Sequence, residues 1–227
     1  MILNVFNSIF SWLTVIITVS LSIPQLIKLF KEKQTKNISF VSFWIFHLGI
    51  LMWTIFGVLS DKSIPYKLQN IVIADGLSLV LNGIMTYFLY HFKFKRNIQN
   101  YLIKRLFAAA GVIATWTVGF AFIVIYFKNS SFRISSNTAA IFSVIAPALT
   151  TFAFAPQLYV SIKTNKWKGI SPFMFILFEI NNLAWIGFWL TSIFIHGINL
   201  DLIGGLIWQI ISLLLYGYQL VKISTAK

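Results

Sequence analysis

Cysteine is missing from this 227-residue chain, acidic residues number only 5, and charged residues of every kind make up 10%. Without cysteine there is no disulfide framework, no thiolate metal site and no cysteine nucleophile. So little charge cannot cover the surface of a soluble domain, which excludes the ordinary globular class. No HExxH, nucleophile elbow or phosphate loop occurs, and the few carboxylates have no spacing suited to hydrolysis. The expectation is therefore a chain that is not an enzyme, with no catalytic residue, no metal and no cofactor.

What the sequence does contain is apolar bulk: 58% hydrophobic residues and a mean hydropathy of +0.83. Continuous apolar stretches fall near 5–29, 39–60, 67–91, 106–127, 138–162, 170–195 and 201–222. Each is long enough to cross about 30 Å of hydrocarbon as a helix. None alternates with period two, which argues against a barrel. The N-terminus lacks a basic n-region and leads into a full-length apolar run, so it reads as a first span. The net charge of +13 does not mark a nucleic-acid partner, because the basic residues are scattered between spans. The bilayer is the partner this composition implies.

Those basic residues set an orientation. Lys28, Lys31, Lys33, Lys36, Lys93, Lys95, Arg96, Lys104, Arg105, Lys163, Lys166, Lys168, Lys222 and Lys227 gather on one side of the spans. Lys62, Lys67, Lys128 and Arg133 alone fall on the other. The N-terminus should face outside and the C-terminus the cytosol, with the segment 92–104 a cytosolic loop. Heavy use of Lys, Asn, Ile and Phe points to an AT-rich bacterial genome, hence a bacterial plasma membrane.

The chain repeats itself. A shift of 132 places Pro24-Gln25-Leu26 on Pro156-Gln157-Leu158, Ile38-Ser39 on Ile170-Ser171, Trp53 on Trp185 and Phe56 on Phe188. With a three-residue adjustment, Asn70 meets Asn199, Gly76-Leu77 meets Gly205-Leu206, and Tyr87 meets Tyr216. Spans 1–3 and 5–7 are copies, and the odd fourth span lets both keep one orientation, as in parallel-repeat transporters. The expected architecture is an all-α membrane protein of seven helices. Its parts are a first three-helix repeat at 1–91, a cytosolic loop, linker helix and outer loop at 92–137, and a second repeat at 138–227.

An apolar helix ending in Pro-Gln, a short basic loop, Ile-Ser, then a helix with Trp-x-x-Phe, all occurring twice, resembles the PQ-loop superfamily and, within it, the full-length SWEET sugar transporters. The resemblance implies a 3+1+3 bundle, a central cavity between the triple-helix units, and alternating access by rocking about the Pro-Gln prolines. Independently of any family, Pro24 and Pro156 each remove an intrahelical hydrogen bond, so each should act as a hinge. Gln25 and Gln157 are expected to cap the backbone groups so freed. One family feature is missing. The asparagine pair that SWEET proteins carry early in spans 3 and 7 is replaced in that register by Ile73 and Leu202.

Polar side chains inside spans are expensive and commonly face a cavity. Trp53, Asn82, Asn181, Asn182, Trp185 and Gln209 are the candidate substrate-binding residues. Amides exchange hydrogen bonds with hydroxyls, and indoles offer a flat apolar face to a sugar ring. Asp75, Ser78 and Asn82 follow i, i+3, i+7 on one stripe of span 3. His47, Asp75 and Glu179 are candidates for proton coupling, His47 and Glu179 being repeat partners. The expected function is alternating-access transport of a small polar solute, most simply a sugar. A proton-coupled carrier of amino acids or another charged metabolite is the alternative. Assembly into a homo-oligomer is left open.

Overall fold

The computed structural model describes residues 2–35, 37–59, 68–93, 98–129, 131–164, 166–167, 170–198 and 200–225; for 98–100, 136, 137, 140 and 201 it describes the backbone alone. Of the expected basic anchors, Lys36, Lys62, Lys67, Lys95, Arg96, Lys168 and Lys227 lie outside the described residues, as does Asn199 of the repeat-matched asparagines. Among the described residues the regular structure is helical throughout. In chain order the helices are α1 (Ile2–Ser20), α2 (Ile23–Glu32), α3 (Phe40–Leu59), α4 (Gln69–Lys93), α5 (Ile98–Lys128), α6 (Ser136–Phe152), α7 (Ala155–Thr164), α8 (Pro172–His196) and α9 (Leu200–Thr225). By length and hydropathy they supply seven candidate membrane spans, with α1–α2 forming the first and α6–α7 the fifth.

The first and fifth spans are broken rather than bent. Each Pro-Gln proline is the second residue of its short helix, two residues past a gap at Leu21–Ser22 or Ala153–Phe154. A first-turn proline lacks only an N–H that would have no intrahelical partner there. Ser22 and Ala153 keep right-handed helical backbone, so each interruption falls in the turn whose hydrogen bond the following proline removes. An interior proline does exist, Pro147 in α6, which the sequence reading passed over.

Packing closes the two repeats into one ring. In each repeat the third helix lies against both the first and the second, α4 against α1 and α3, and α9 against α6 and α8. The repeats meet at two seams, α1 on α8 and α3 on α6. Small residues allow the close approach at both. A Cβ on Gly187 would stand 2.5 Å from the Phe10 ring, and one on Gly49 would stand 2.7 Å from Thr150 Cγ2. At the α1–α8 seam Asn7 Nδ2 also donates to Thr191 Oγ1 at 2.9 Å and Ser192 Oγ at 2.8 Å.

The linker helix α5 stands outside the ring and packs chiefly on α3 and α4. It is longer than the apolar stretch near 106–127 suggested. It begins at Ile98, so most of the expected loop at 92–104 is helix. Its first turns are fixed by Arg105, whose guanidinium donates to the hydroxyls of Tyr87 and Tyr101.

Two aromatic clusters fill the ring. One, towards the basic loops, gathers Phe43, Phe46, Phe154, Phe175, Phe178 and Tyr216. Phe154, in the second helix break, is fully buried and lies edge-on to Phe43, Phe175, Phe178 and Tyr216 at centroid distances of 5.3, 5.8, 5.6 and 6.0 Å. The other cluster holds Trp53, Phe56, Trp185, Phe188 and Trp189.

Candidate functional site

Between the two aromatic clusters lies a cavity of about 50 Å3, room for the centres of a few waters. Phe46, Phe178 and Tyr216 bound it on one side, and Trp53 and Trp185 on the other. The remaining wall comes from all six ring helices: Thr18 and Leu21 at the end of the first span, Ile50 from α3, Asp75 from α4, Thr150 and Thr151 from α6, Asn181 and Asn182 from α8, and Gln209 and Ser212 from α9. Five of the six expected substrate-binding residues are therefore on one wall.

The tryptophans are held by bonds that cross between repeats. Trp185 Nε1 donates to Thr18 Oγ1 at 3.2 Å, and Trp53 Nε1 donates to Thr150 Oγ1 at 3.3 Å. The two pairs correspond under the 132-residue shift. Each indole is fixed by a threonine of the other repeat. Thr18 Oγ1 in turn donates to Asn181 Oδ1 at 2.8 Å, and the Tyr216 hydroxyl donates to the Thr150 carbonyl. Both threonines escaped the sequence reading, although their matched positions in the repeat were a usable signal.

Other polar atoms on this wall are unsatisfied. Asn182 Nδ2 and Gln209 Oε1 are buried without a hydrogen-bond partner. The Asp75 side chain is 6% exposed and makes no hydrogen bond or ion pair among the described residues. Buried polar groups are nearly always paired, and an orphan costs about 1–3 kcal/mol. One free donor and several free acceptors around one space are what a hydrogen-bonding solute can satisfy.

Three expected residues lie elsewhere. Asn82 does not reach the cavity: its Nδ2 donates to Ser22 Oγ at 3.3 Å, and its Oδ1 lies 3.1 Å from His47 Nδ1. His47 is fully buried, with Nε2 2.7 Å from Thr115 Oγ1 on α5. Together Asn82 and His47 join the first helix break to the linker helix. Glu179 is half-buried on the α8–α9 face, where Gly217 leaves it room; a Cβ there would come within 3.3 Å of Glu179 Oε2.

The Pro-Gln glutamines form a second pair of crossing bonds. Gln25 Oε1 accepts from the backbone N–H of Ser171 at 2.7 Å, and Gln157 Oε1 accepts from the backbone N–H of Ser39 at 2.6 Å. Gln157 Nε2 also donates to the Asn37 carbonyl at 2.9 Å. The expected capping of their own helix breaks is not what they do. Each glutamine binds the start of the second full span of the opposite repeat, satisfying an amide that a helix N-terminus leaves open.

Residues 6–66 match the family described as PQ loop repeat. A curated relative, the sugar transporter SemiSWEET of Escherichia coli (strain UMEA 3162-1), is 38% identical over 52 residues, 23% of this chain. That alignment spans 58% of the relative's own length. Among solved structures, a eukaryotic SWEET transporter superposes with a TM-score of 0.58 at 13% identity, covering 96% of this chain and 99% of that one. At that identity the likeness is one of fold. The fold and the ring of repeats define an integral membrane protein of the 3+1+3 type. Residues 6–66 carry a PQ-loop repeat, and the chain as a whole has the fold of a SWEET transporter.

Proposed function

We propose that the chain carries a small polar solute, most simply a sugar, across the membrane by alternating access. The observation that carries this reading is the cavity between the repeats, where matched tryptophans flank an unpaired amide donor and unpaired acceptors. The curated relative's printed name, a sugar transporter, agrees with it. In this form the cavity is smaller than a monosaccharide needs, so loading requires the α1–α8 and α3–α6 seams to part at one end.

The mechanism follows from the seams. The unit α1–α4–α3 rocks against α6–α9–α8, with Pro24-Gln25 and Pro156-Gln157 as hinges at the helix breaks. Opening towards the basic loops separates the ring cluster around Phe154 and releases the bonds of Gln25 and Gln157. Opening the other way separates Trp53 and Trp185 from their threonines. Solute amide contacts come from Asn181, Asn182 and Gln209. We place the protein in a bacterial plasma membrane, and the charge distribution supports an outside N-terminus and a cytosolic C-terminus.

One observation favours a second reading: Asp75 is a buried carboxyl on the cavity wall, suited to coupling proton and solute movement. Uptake into proteoliposomes of a sugar and amino-acid panel, with and without a pH gradient, tests both. Gradient-independent sugar uptake supports the facilitator. Amino-acid uptake that requires the gradient replaces it with the coupled carrier. No uptake of any member sinks both.

A further inference from the structure

Asp75 is the one acidic or basic side chain among the described residues on the cavity wall. Its neighbours there are hydroxyls, amides and aromatic rings. No lysine, arginine or histidine of the described residues reaches it: His47, the buried base nearest in the sequence pattern, is engaged at both nitrogens by Asn82 and Thr115. Glu32, by contrast, has Lys28 at 3.9 Å on the membrane-edge face of α2. Along the same stripe of α4, the other polar residues each donate to the first span. Asn70 Nδ2 donates to Thr14 Oγ1 at 3.4 Å, Ser78 Oγ donates to the Thr18 carbonyl at 3.4 Å, and Asn82 Nδ2 donates to Ser22 Oγ. Asp75 alone on that stripe is left to face the cavity. Its repeat-matched position holds Gly204, so the carboxyl is on one side only.

We propose that Asp75 makes this cavity a charge filter: solutes bearing a cationic amine are held more tightly than neutral polyols, and anionic solutes are excluded. The inference rests on the carrier reading above and narrows the solute it would take. A neutral polyol gives the carboxyl hydroxyl donors. An ammonium gives it donors and the missing countercharge, which lets the buried carboxyl ionise as one member of a pair. A carboxylate or phosphate brings a negative charge into a space whose described wall offers no cation to offset its desolvation. Two unit charges about 4 Å apart in a protein-like dielectric shift an affinity by more than about a hundredfold.

The test is a binding series on the purified full chain in nanodiscs, read by fluorescence of the cavity tryptophans, with glucosamine, glucose and glucuronate as probes. Wild type is expected to rank them in that order, with glucosamine at least about tenfold tighter than glucose and glucuronate at least about tenfold weaker. Asp75→Asn, close to isosteric, should bring all three within about threefold of one another. Glucuronate binding as well as glucose in wild type overturns the filter by itself, whether or not the variant folds. An unchanged ranking in Asp75→Asn also overturns it, since the selectivity then has another source. Counterflow of the same three solutes separates this idea from the one beneath it. Charge-ranked binding without counterflow keeps the filter and removes the carrier; counterflow indifferent to charge does the reverse.

Discussion

The side-chain carbonyl of Gln25 sits 2.7 Å from the backbone nitrogen of Ser171, 146 residues further along the chain. Gln157 makes the corresponding bond back to Ser39, and adds bonds to the Asn37 carbonyl and, at 3.1 Å, to Ser161 Oγ. A Pro-Gln pair thus places its proline at the break and its glutamine across the seam.

Removing either glutamine leaves a helix-start amide unpaired in a buried seam, which should cost about 1–3 kcal/mol of stability. Gln157→Ala should cost more than Gln25→Ala, because three polar partners of Gln157 are lost with it. Unfolding of the two variants in a fixed detergent checks both the magnitude and the order. Equal costs of a few tenths of a kcal/mol would show the crossing bonds to be energetically idle.

Trp185→Ala should abolish solute uptake while the protein still inserts and stays monodisperse. The indole is 6% exposed, stacks on Trp189 with centroids 5.7 Å apart, and bounds the cavity. Truncating a buried tryptophan costs about 3–5 kcal/mol, so size-exclusion profiles and uptake must be read together. A monodisperse variant with wild-type uptake kinetics would reduce Trp185 to packing.

Orientation is checked by single cysteines in a chain that has none of its own. Asn4→Cys and Lys93→Cys are at exposed positions near the opposite ends of their spans. In intact cells an impermeant maleimide should label the first and spare the second. Labelling of Lys93→Cys alone would invert the topology and with it the assignment of the Phe154 cluster to the cytosolic side.

The candidate proton-coupling groups now differ in position. If uptake responds to an imposed pH gradient, Asp75→Asn should remove that response while exchange between equal solute pools continues. Glu179→Gln should leave the response in place, since Glu179 lies off the cavity wall. A response lost in Glu179→Gln and kept in Asp75→Asn would reverse the assignment. No response in wild type leaves facilitated diffusion, and both variants should then change affinity or stability only.

The architecture was legible because its determinants are one-dimensional: span length, charge between spans, and a repeat carried by Pro-Gln, Ile-Ser and Trp-x-x-Phe. The site was legible only in part, and α4 shows why. The spacing of Asp75, Ser78 and Asn82 correctly placed them on one face of a helix. It could not say what lies opposite. That face meets the first span, where the Thr18 carbonyl takes up Ser78, the Ser22 hydroxyl in the break takes up Asn82, and Asp75 is left to the cavity. The surroundings of His47 were illegible for the same reason, because its partner Thr115 belongs to a linker helix that has no repeat copy to signal its place.

Position 22 and position 154 are equivalent in the two repeats, yet one holds a serine bonded to Asn82 and the other a phenylalanine ringed by aromatic side chains. The halves have therefore ceased to be interchangeable. A symmetric pair built from two first halves would put a serine in the place of Phe154, removing the ring on which Phe43 and Phe46 pack. A pair built from two second halves would send two phenylalanines towards one site that a single ring already fills. The mixed pairing supplies one serine and one phenylalanine at these positions, and fusion into one polypeptide keeps each first half beside a second half.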